Sequence, residues 1–241
     1  MTYYYIYNVS LILSSVVTVG LFYFVWRRRG VPGSLPLLAI IVACFVWVTA
    51  NYLQIRGVTL EWQLFFTNLQ YFGIVSIPVA WFAFALRFAR SAPPLSRRMI
   101  LLLSIIPLIT ICLVWTNRWH GLMWDDVRLG QSGPFLVVFK TYGTWFWVFM
   151  AYAYGLLLGG ALLLLRRVFQ RPHLYRNQSI AIVTACLLPI VWNVLYVFRL
   201  LPLPQSDLTP SAFTLSALAI AIGVLRYKFL DLVPVARDIV V

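Results

Sequence analysis

Charge is what this chain has least of. Asp, Glu, Lys and Arg make up only 10% of its 241 residues, against roughly 25% in an ordinary soluble domain. Acidic residues number six, histidines two and cysteines three. Cys44, Cys112 and Cys186 all sit inside apolar runs, where a thiol behaves as a small hydrophobe; they indicate neither a disulfide framework nor a metal site, and the redox compartment stays open. With His173 in an Arg-rich stretch and His120 far from it, a zinc site built from several histidines cannot be assembled. What is abundant is apolar: 62% of the residues are hydrophobic, and the mean hydropathy is +0.89. A chain of this composition cannot bury its apolar surface away from water, so its solvent is lipid. It reads as an all-α integral membrane protein.

A spanning helix needs about 20 mostly apolar residues, since a hydrocarbon core of roughly 30 Å is crossed at 1.5 Å per residue. Seven segments qualify: Tyr4 to Trp26, Leu35 to Leu53, Trp62 to Leu86, Met99 to Thr116, Tyr142 to Leu165, Ser179 to Phe198 and Leu208 to Leu225. The first lacks a basic start and a small-residue cleavage site, and Arg27, Arg28 and Arg29 follow it, so it reads as a retained helix rather than a signal peptide. Pro78, Pro107 and Pro189 are positioned to bend their helices. No internal repeat of the transporter kind is visible.

The net charge of +13 resembles a nucleic-acid footprint until the basic residues are sorted by loop. Arg27, Arg28, Arg29, Arg87, Arg90, Arg97, Arg98, Arg166, Arg167, Arg171, Arg176, Arg226, Lys228 and Arg237 fall on one side. Only Arg56, Arg118, Arg128, Lys140 and Arg199 fall on the other, together with Glu61, Asp125, Asp126 and Asp207. The loops are short, the regime in which positive charge stays cytoplasmic, so the amino terminus is expected outside and the carboxyl terminus inside a cell (inner) membrane. The charge is then a topology signal with anionic-lipid contact as a by-product, and nucleic acid is excluded as a partner. The longest connection, Asn117 to Thr141, is on the outer side. Two extended-looking runs, Met123 to Leu129 and Pro134 to Lys140, flank a four-residue turn at Gly130 to Gly133, which predicts a short extracytoplasmic β-hairpin between helices 4 and 5.

Charge is also missing from the middle of every span, which argues against proton pumps and ion-coupled transporters. The last span has no lysine for a retinal Schiff base. His120, Asp125 and Asp126 follow no recognised metal or acid–base spacing. What remains is a set of neutral polar and aromatic residues in the outer halves of the helices. Gln63, Thr67 and Gln70 share one face of helix 3. Asn51 ends helix 2; Tyr142, Trp145, Phe149 and Tyr152 form a stripe on helix 5; helix 6 offers Trp192, Asn193 and Tyr196; and Asp207 precedes helix 7 with Thr209 and Thr214. Facing lipid, these groups would be unsatisfied, so they are expected to point inward. Each would equally serve as interhelical glue worth about 0.6 kcal/mol, and Tyr3, Tyr4, Tyr5, Trp62 and Trp115 suit an aromatic belt. Their concentration at the outer end favours an outward-facing cavity, since glue would be spread over all depths.

Four stretches carry a resemblance: ANYLQIRGVTLEWQLFFTNLQYFGIVSIPVAWFAFALRFA (Ala50 to Ala89), TNRWHGLMW (Thr116 to Trp124), GPF (Gly133 to Phe135), and DLTP with the later LRYKFLDLVPVARDIVV. Together they make the chain similar to the seven-transmembrane amino-terminal sensor region of bacterial and archaeal histidine kinases. The resemblance spans nearly the whole chain and rests on diffuse aromatic and polar patterns. It implies a receptor whose last helix feeds a cytoplasmic PAS and kinase output domain, in kinases that work as dimers. It favours Asn51, Glu61, Trp62, Asn117, His120, Trp124 and Asp207 as the outer cap. The chain holds no histidine phosphoacceptor, ATP-binding box or PAS sequence, so no enzymatic activity and no cofactor are expected of it. Residues 1–229 then form the sensor domain and 230–241 the start of a cytoplasmic linker.

The resulting expectation is a receptor module that binds a small amphipathic or lipid-like ligand, with a site drawn from Asn51, Glu61, Trp62, Thr67, Gln70, Asn117, His120, Trp124, Tyr142, Trp145, Phe149, Trp192, Asn193, Tyr196 and Asp207. Three other readings stay open. A small transporter would show flux and a path open to alternate sides, a lipid-modifying enzyme would show turnover and paired acid–base groups, and a purely structural membrane partner would have fully packed polar faces.

Overall fold

The computed structural model describes residues 2–30, 33–89, 96–170, 187–200 and 207–226. Within them lie α1 (Thr2–Trp26), α2 (Ser34–Gln54), α3 (Leu60–Ala89), α4 (Arg97–His120), the strands β1 (Trp124–Ser132) and β2 (Phe135–Tyr142), α5 (Thr144–Gln170), α6 (Leu187–Val197) and α7 (Thr209–Arg226). The chain is a membrane helical bundle in which α1 to α5 are each long and apolar enough to cross a bilayer. The start of the sixth predicted span, at 179–186, and the linker at 230–241 lie outside the described residues.

Lipid leaves the backbone no partner but itself, which is why long apolar runs become helices. Their ends follow local chemistry. Ser96 caps α4, its hydroxyl accepting from the Met99 N–H at 3.2 Å. Gly121 closes the same helix in the left-handed conformation, φ 63°. That cap carries α4 on to His120, so Asn117 and His120 are helical rather than part of the long connection. α2 and α3 lie against each other at Gly73, where a Cβ would come within 2.3 Å of the Ala43 carbonyl oxygen; a small residue is what lets the two backbones approach. These two helices form the interior, with Leu37, Ile41, Cys44, Trp47, Ile77, Trp81 and Phe84 in one cluster with Leu157 and Ile220. α1 and α4 are peripheral: 17% of the α4 span is buried against 61% of α2. Their outward rows, Ile6, Val9, Leu13 and Val16 on α1 and Leu101, Leu102, Ile105 and Leu108 on α4, suit a lipid solvent.

β1 and β2 pair antiparallel, with Leu129 opposite Val138 and Ser132 opposite Phe135. The connection is the two residues Gly133 and Pro134, not the expected four. Gly133 takes positive φ (59°) there, while Gly130 stays in the ladder against Phe139's ring. A bulge between Asp125 and Arg128, with Asp126 at φ 42°, turns the first strand. β2 is the inner strand. Phe135 and Val137 pack on Tyr7, Leu11 and Val48, and the Gln63 side-chain amide donates to the Leu136 and Gly57 carbonyls, both at 2.8 Å. Tyr142 is the last residue of β2 rather than the first of a helix. The junction at Gly143 is tight enough that a Cβ would stand 2.3 Å from the Leu122 carbonyl oxygen.

Candidate functional site

At the hairpin end the helices and β2 surround a cavity of about 130 Å³, room for several water molecules at roughly 10–15 Å³ each. Tyr7 of α1, Asn51 and Gln54 of α2, Thr67, Gln70 and Tyr71 of α3, Lys140 and Tyr142 of β2, Phe149 and Tyr154 of α5, Asn193 and Tyr196 of α6, and Asp207 just before α7 all line it.

Part of that lining is tied together. The Tyr7 hydroxyl donates to Asn51 Oδ1 (2.7 Å) and the Asp207 carbonyl (3.1 Å), and Asn51 Nδ2 donates to the same carbonyl at 3.3 Å. Gln70 donates to the Gln54 side-chain oxygen. The Tyr154 hydroxyl donates to Asn193 Oδ1 at 2.8 Å, and Asn193 Nδ2 to the Thr209 hydroxyl at 3.4 Å. These bonds involve α1, α2, α3, α5, α6 and the start of α7 around the void. Other groups are left open. The Tyr142 and Tyr196 hydroxyls and the Lys140 ammonium have no hydrogen-bond partner among the described residues; Lys140 lies over the Trp124 ring at 4.3 Å.

Two ionisable side chains stand in this wall. Asp207 Oδ1 accepts the Thr209 N–H at 2.9 Å, at the positive end of α7. Burial pushes the Asp207 carboxyl above the ordinary carboxylate range, opposed by the Thr209 hydrogen bonds and by Lys140. Burial likewise pushes Lys140 down to about 8, with Asp207 resisting. Tyr142, partly buried and stacked 3.8 Å from Phe146, is pushed up by burial and then by Asp207.

Of the fifteen residues expected at a site, Asn51, Thr67, Gln70, Tyr142, Phe149, Asn193, Tyr196 and Asp207 line the void. Seven do not, each for a local reason. Glu61 is exposed in the first turn of α3, where its charge suits the helix terminus. Trp62 donates its indole N–H to the Leu53 carbonyl at 2.9 Å and lies across Gly57, covering the α2–α3 turn. Asn117 is consumed locally: Oδ1 accepts the Met123 and Trp124 N–H groups (2.9 and 3.1 Å), and Nδ2 donates to the Trp124 carbonyl (2.9 Å). His120 is exposed; Nδ1 accepts from the Leu122 N–H, and Nε2 stands 3.0 Å from the Thr116 hydroxyl. Trp124 is buried behind the wall against Tyr71. Trp145 donates to the Thr110 hydroxyl of α4 at 3.0 Å. Trp192 lies about 100° round the helix from Asn193, so α6 turns Asn193 and Tyr196 inward without it.

The family described as the N-terminal 7TM region of histidine kinase matches residues 10–234. The chain belongs to this family. No curated protein matches it. A histidine kinase sensor region of this kind is a membrane sensor module, and its helices carry the aromatic and polar stretches that drew the resemblance.

In this sensor region the sequence reading missed Tyr7, Gln54, Tyr71, Lys140 and Tyr154. Two of them had a legible signal. Asn51 and Gln54 are three apart on one helix face. Val138, Lys140 and Tyr142 alternate along one face of β2, so an inward Tyr142 brings Lys140 with it. Counting Lys140 only as a loop charge hid that.

Proposed function

We propose that this sensor region binds a small amphipathic or lipid-like molecule in the cavity and passes the resulting change in helix packing through α7 to a cytoplasmic PAS and kinase output domain. One observation carries the reading: a single void is walled by six of the seven helices and the hairpin, so an occupant would touch nearly every element whose position a signal could change. A ligand shifts an equilibrium between two bundle arrangements only by its difference in affinity for them. A guest in contact with α1, α2, α3, α5, α6 and the approach to α7 has the widest scope for such a difference. The charge bias supports an orientation with the hairpin and amino terminus outside the cell (inner) membrane and the carboxyl terminus in the cytoplasm. Signalling then runs away from the cavity along α7, in an assembly we take to be a homodimer embedded in membrane lipid.

The test is thermal denaturation of the purified chain in detergent across a panel of metabolites and lipids, with Asn193→Ala as the cavity variant and Trp145→Phe as the variant outside it. A stabilising compound should lose most of its shift with Asn193→Ala and keep it with Trp145→Phe. Equal shifts in all three proteins would contradict the site.

A further inference from the structure

We infer that the guest is a medium-chain amphiphilic anion, with its carboxylate or phosphate head against Lys140 at the hairpin end and its alkyl tail running between α3, α5, α6 and α7. The inference rests on the ligand-sensing reading above and specifies its occupant.

The tail follows from how the cavity continues. A second void of about 20 Å³ lies beyond it, and the two share Ile77, Leu157, Pro189, Ile190 and Phe213 in their walls. Among the described residues two polar groups border this deeper part, and both are satisfied within the protein. Trp81 donates its indole N–H to the Leu157 carbonyl at 3.0 Å, and the Ser216 hydroxyl donates to the Ala212 carbonyl at 2.9 Å. An apolar void with no polar group to offer stays dry and takes an apolar guest. Along α2 the lining runs from Gln54 at the mouth to Ile40 at the floor, a depth of about 21 Å at 1.5 Å per residue. A compact polar metabolite would leave this deeper apolar part empty; an alkyl chain extends into it.

The head follows from the charges at the mouth. The Asp207 carboxylate is already engaged by the Thr209 N–H at a helix amino terminus. Lys140 has no carboxylate within 4.0 Å among the described residues; its contact is the Trp124 ring face. A second cation, the exposed Arg199, lies outside the lining and donates to the Lys140 backbone carbonyl at 3.3 Å. The Tyr142 and Tyr196 hydroxyls, without a hydrogen-bond partner among the described residues, add two donors. A mouth with one cation in its wall, a second at its rim, open hydroxyl donors among the described residues and a committed carboxylate is complementary to an anion.

The experiment is photoaffinity labelling of the chain in phosphatidylcholine nanodiscs, using decanoate with a diazirine at its tail, followed by peptide mapping. Labels are expected on α5, α6 or α7 near Leu157, Ile190 and Phe213. Decanoate or decyl phosphate should displace the label about tenfold better than decanol or decyltrimethylammonium, and whichever anion competes more strongly identifies the head. Lys140→Gln should cut labelling about tenfold and Lys140→Arg should preserve it, both judged at unchanged melting temperature. If Lys140→Gln does not fold, the competition series in the unaltered chain decides alone. Competition by the cation equal to that of the anions, or full labelling of folded Lys140→Gln, overturns the anionic head and leaves a cavity for some other guest. Failure of every decyl compound to label or compete at the cavity overturns the ligand-sensing reading itself.

Discussion

Two groups of neutral polar and aromatic side chains occupy the hairpin end, and composition does not tell them apart. In the first, around Asn117, Trp62, His120 and Trp145, each polar atom that takes part finds a partner within its own turn or on the adjoining element. In the second, around Tyr142, Tyr196, Gln70 and Lys140, Gln70 bonds across to Gln54 of α2 and several donors stay open among the described residues. The first group fixes the strand-to-helix corners, and the second rings a void. An Asn or Trp near a membrane surface therefore says little about binding until its hydrogen bonds are followed to their ends. Substitutions in the two groups should separate stability from ligand response.

The sharpest break is expected at Asn117. Asn117→Ala removes three hydrogen bonds and leaves the Met123 and Trp124 N–H groups without their acceptor, so it should cost about 2–3 kcal/mol. The residual ligand affinity of the folded fraction should be unchanged, as read by denaturant melts and binding on the same preparation. If the affinity falls with stability kept, Asn117 belongs to the other group.

Next in size is the pH dependence of anion binding. Lys140 is held near 8 by burial, and its ammonium is the binding form. Affinity for a probe of fixed charge, decanesulfonate, should be flat below pH 8. Above it, affinity should fall by about tenfold per unit until the pKa of the bound state, raised by the anion, is passed. Asp207, Tyr7, Tyr71, Tyr142, Tyr196 and Arg199 share the mouth with Lys140. Burial pushes the Tyr142 hydroxyl up, away from this range, and Asp207→Asn should retain the alkaline fall while Lys140→Arg removes it.

Trp145→Phe opens only the bond to Thr110 and should cost about 1 kcal/mol in a thermal melt, with ligand affinity untouched. The smallest stability effect belongs to Tyr142→Phe, whose hydroxyl has no hydrogen-bond partner among the described residues. Its melting midpoint should move by less than about 0.5 kcal/mol in equivalent stability, while affinity for the amphiphile drops about threefold. A large loss of stability there would place Tyr142 with the structural group.

The bundle was legible because lipid imposes a length and an apolar composition that no soluble element needs, and helices α1 to α5 answer to that constraint alone. The hairpin was legible from turn residues, but its turn was misplaced. Gly130 and Gly133 look equivalent in sequence, and only the register, which pairs Gly130 with Val137, shows which of them the chain turns on. Site residues separated by depth and face. Asn193 and Tyr196 follow from helical spacing, as do Gln70 and Thr67. Asn117 and Trp145 misled because a partner from another element, the Trp124 backbone or Thr110, captured them, and no single segment encodes such a pairing. Lys140 was hidden because the charge count treats a loop cation as solvated, while the inner strand of a hairpin turns every second residue toward the bundle.

The most direct measurement is an experimental structure of the chain purified from its own membrane in mild detergent. Elongated non-protein density is expected in the cavity, its blunt end beside Lys140 and its tail between Leu157 and Phe213. A closed bundle in which Tyr142, Tyr196 and Gln70 bond to one another across the space, with no room for a guest, would contradict it.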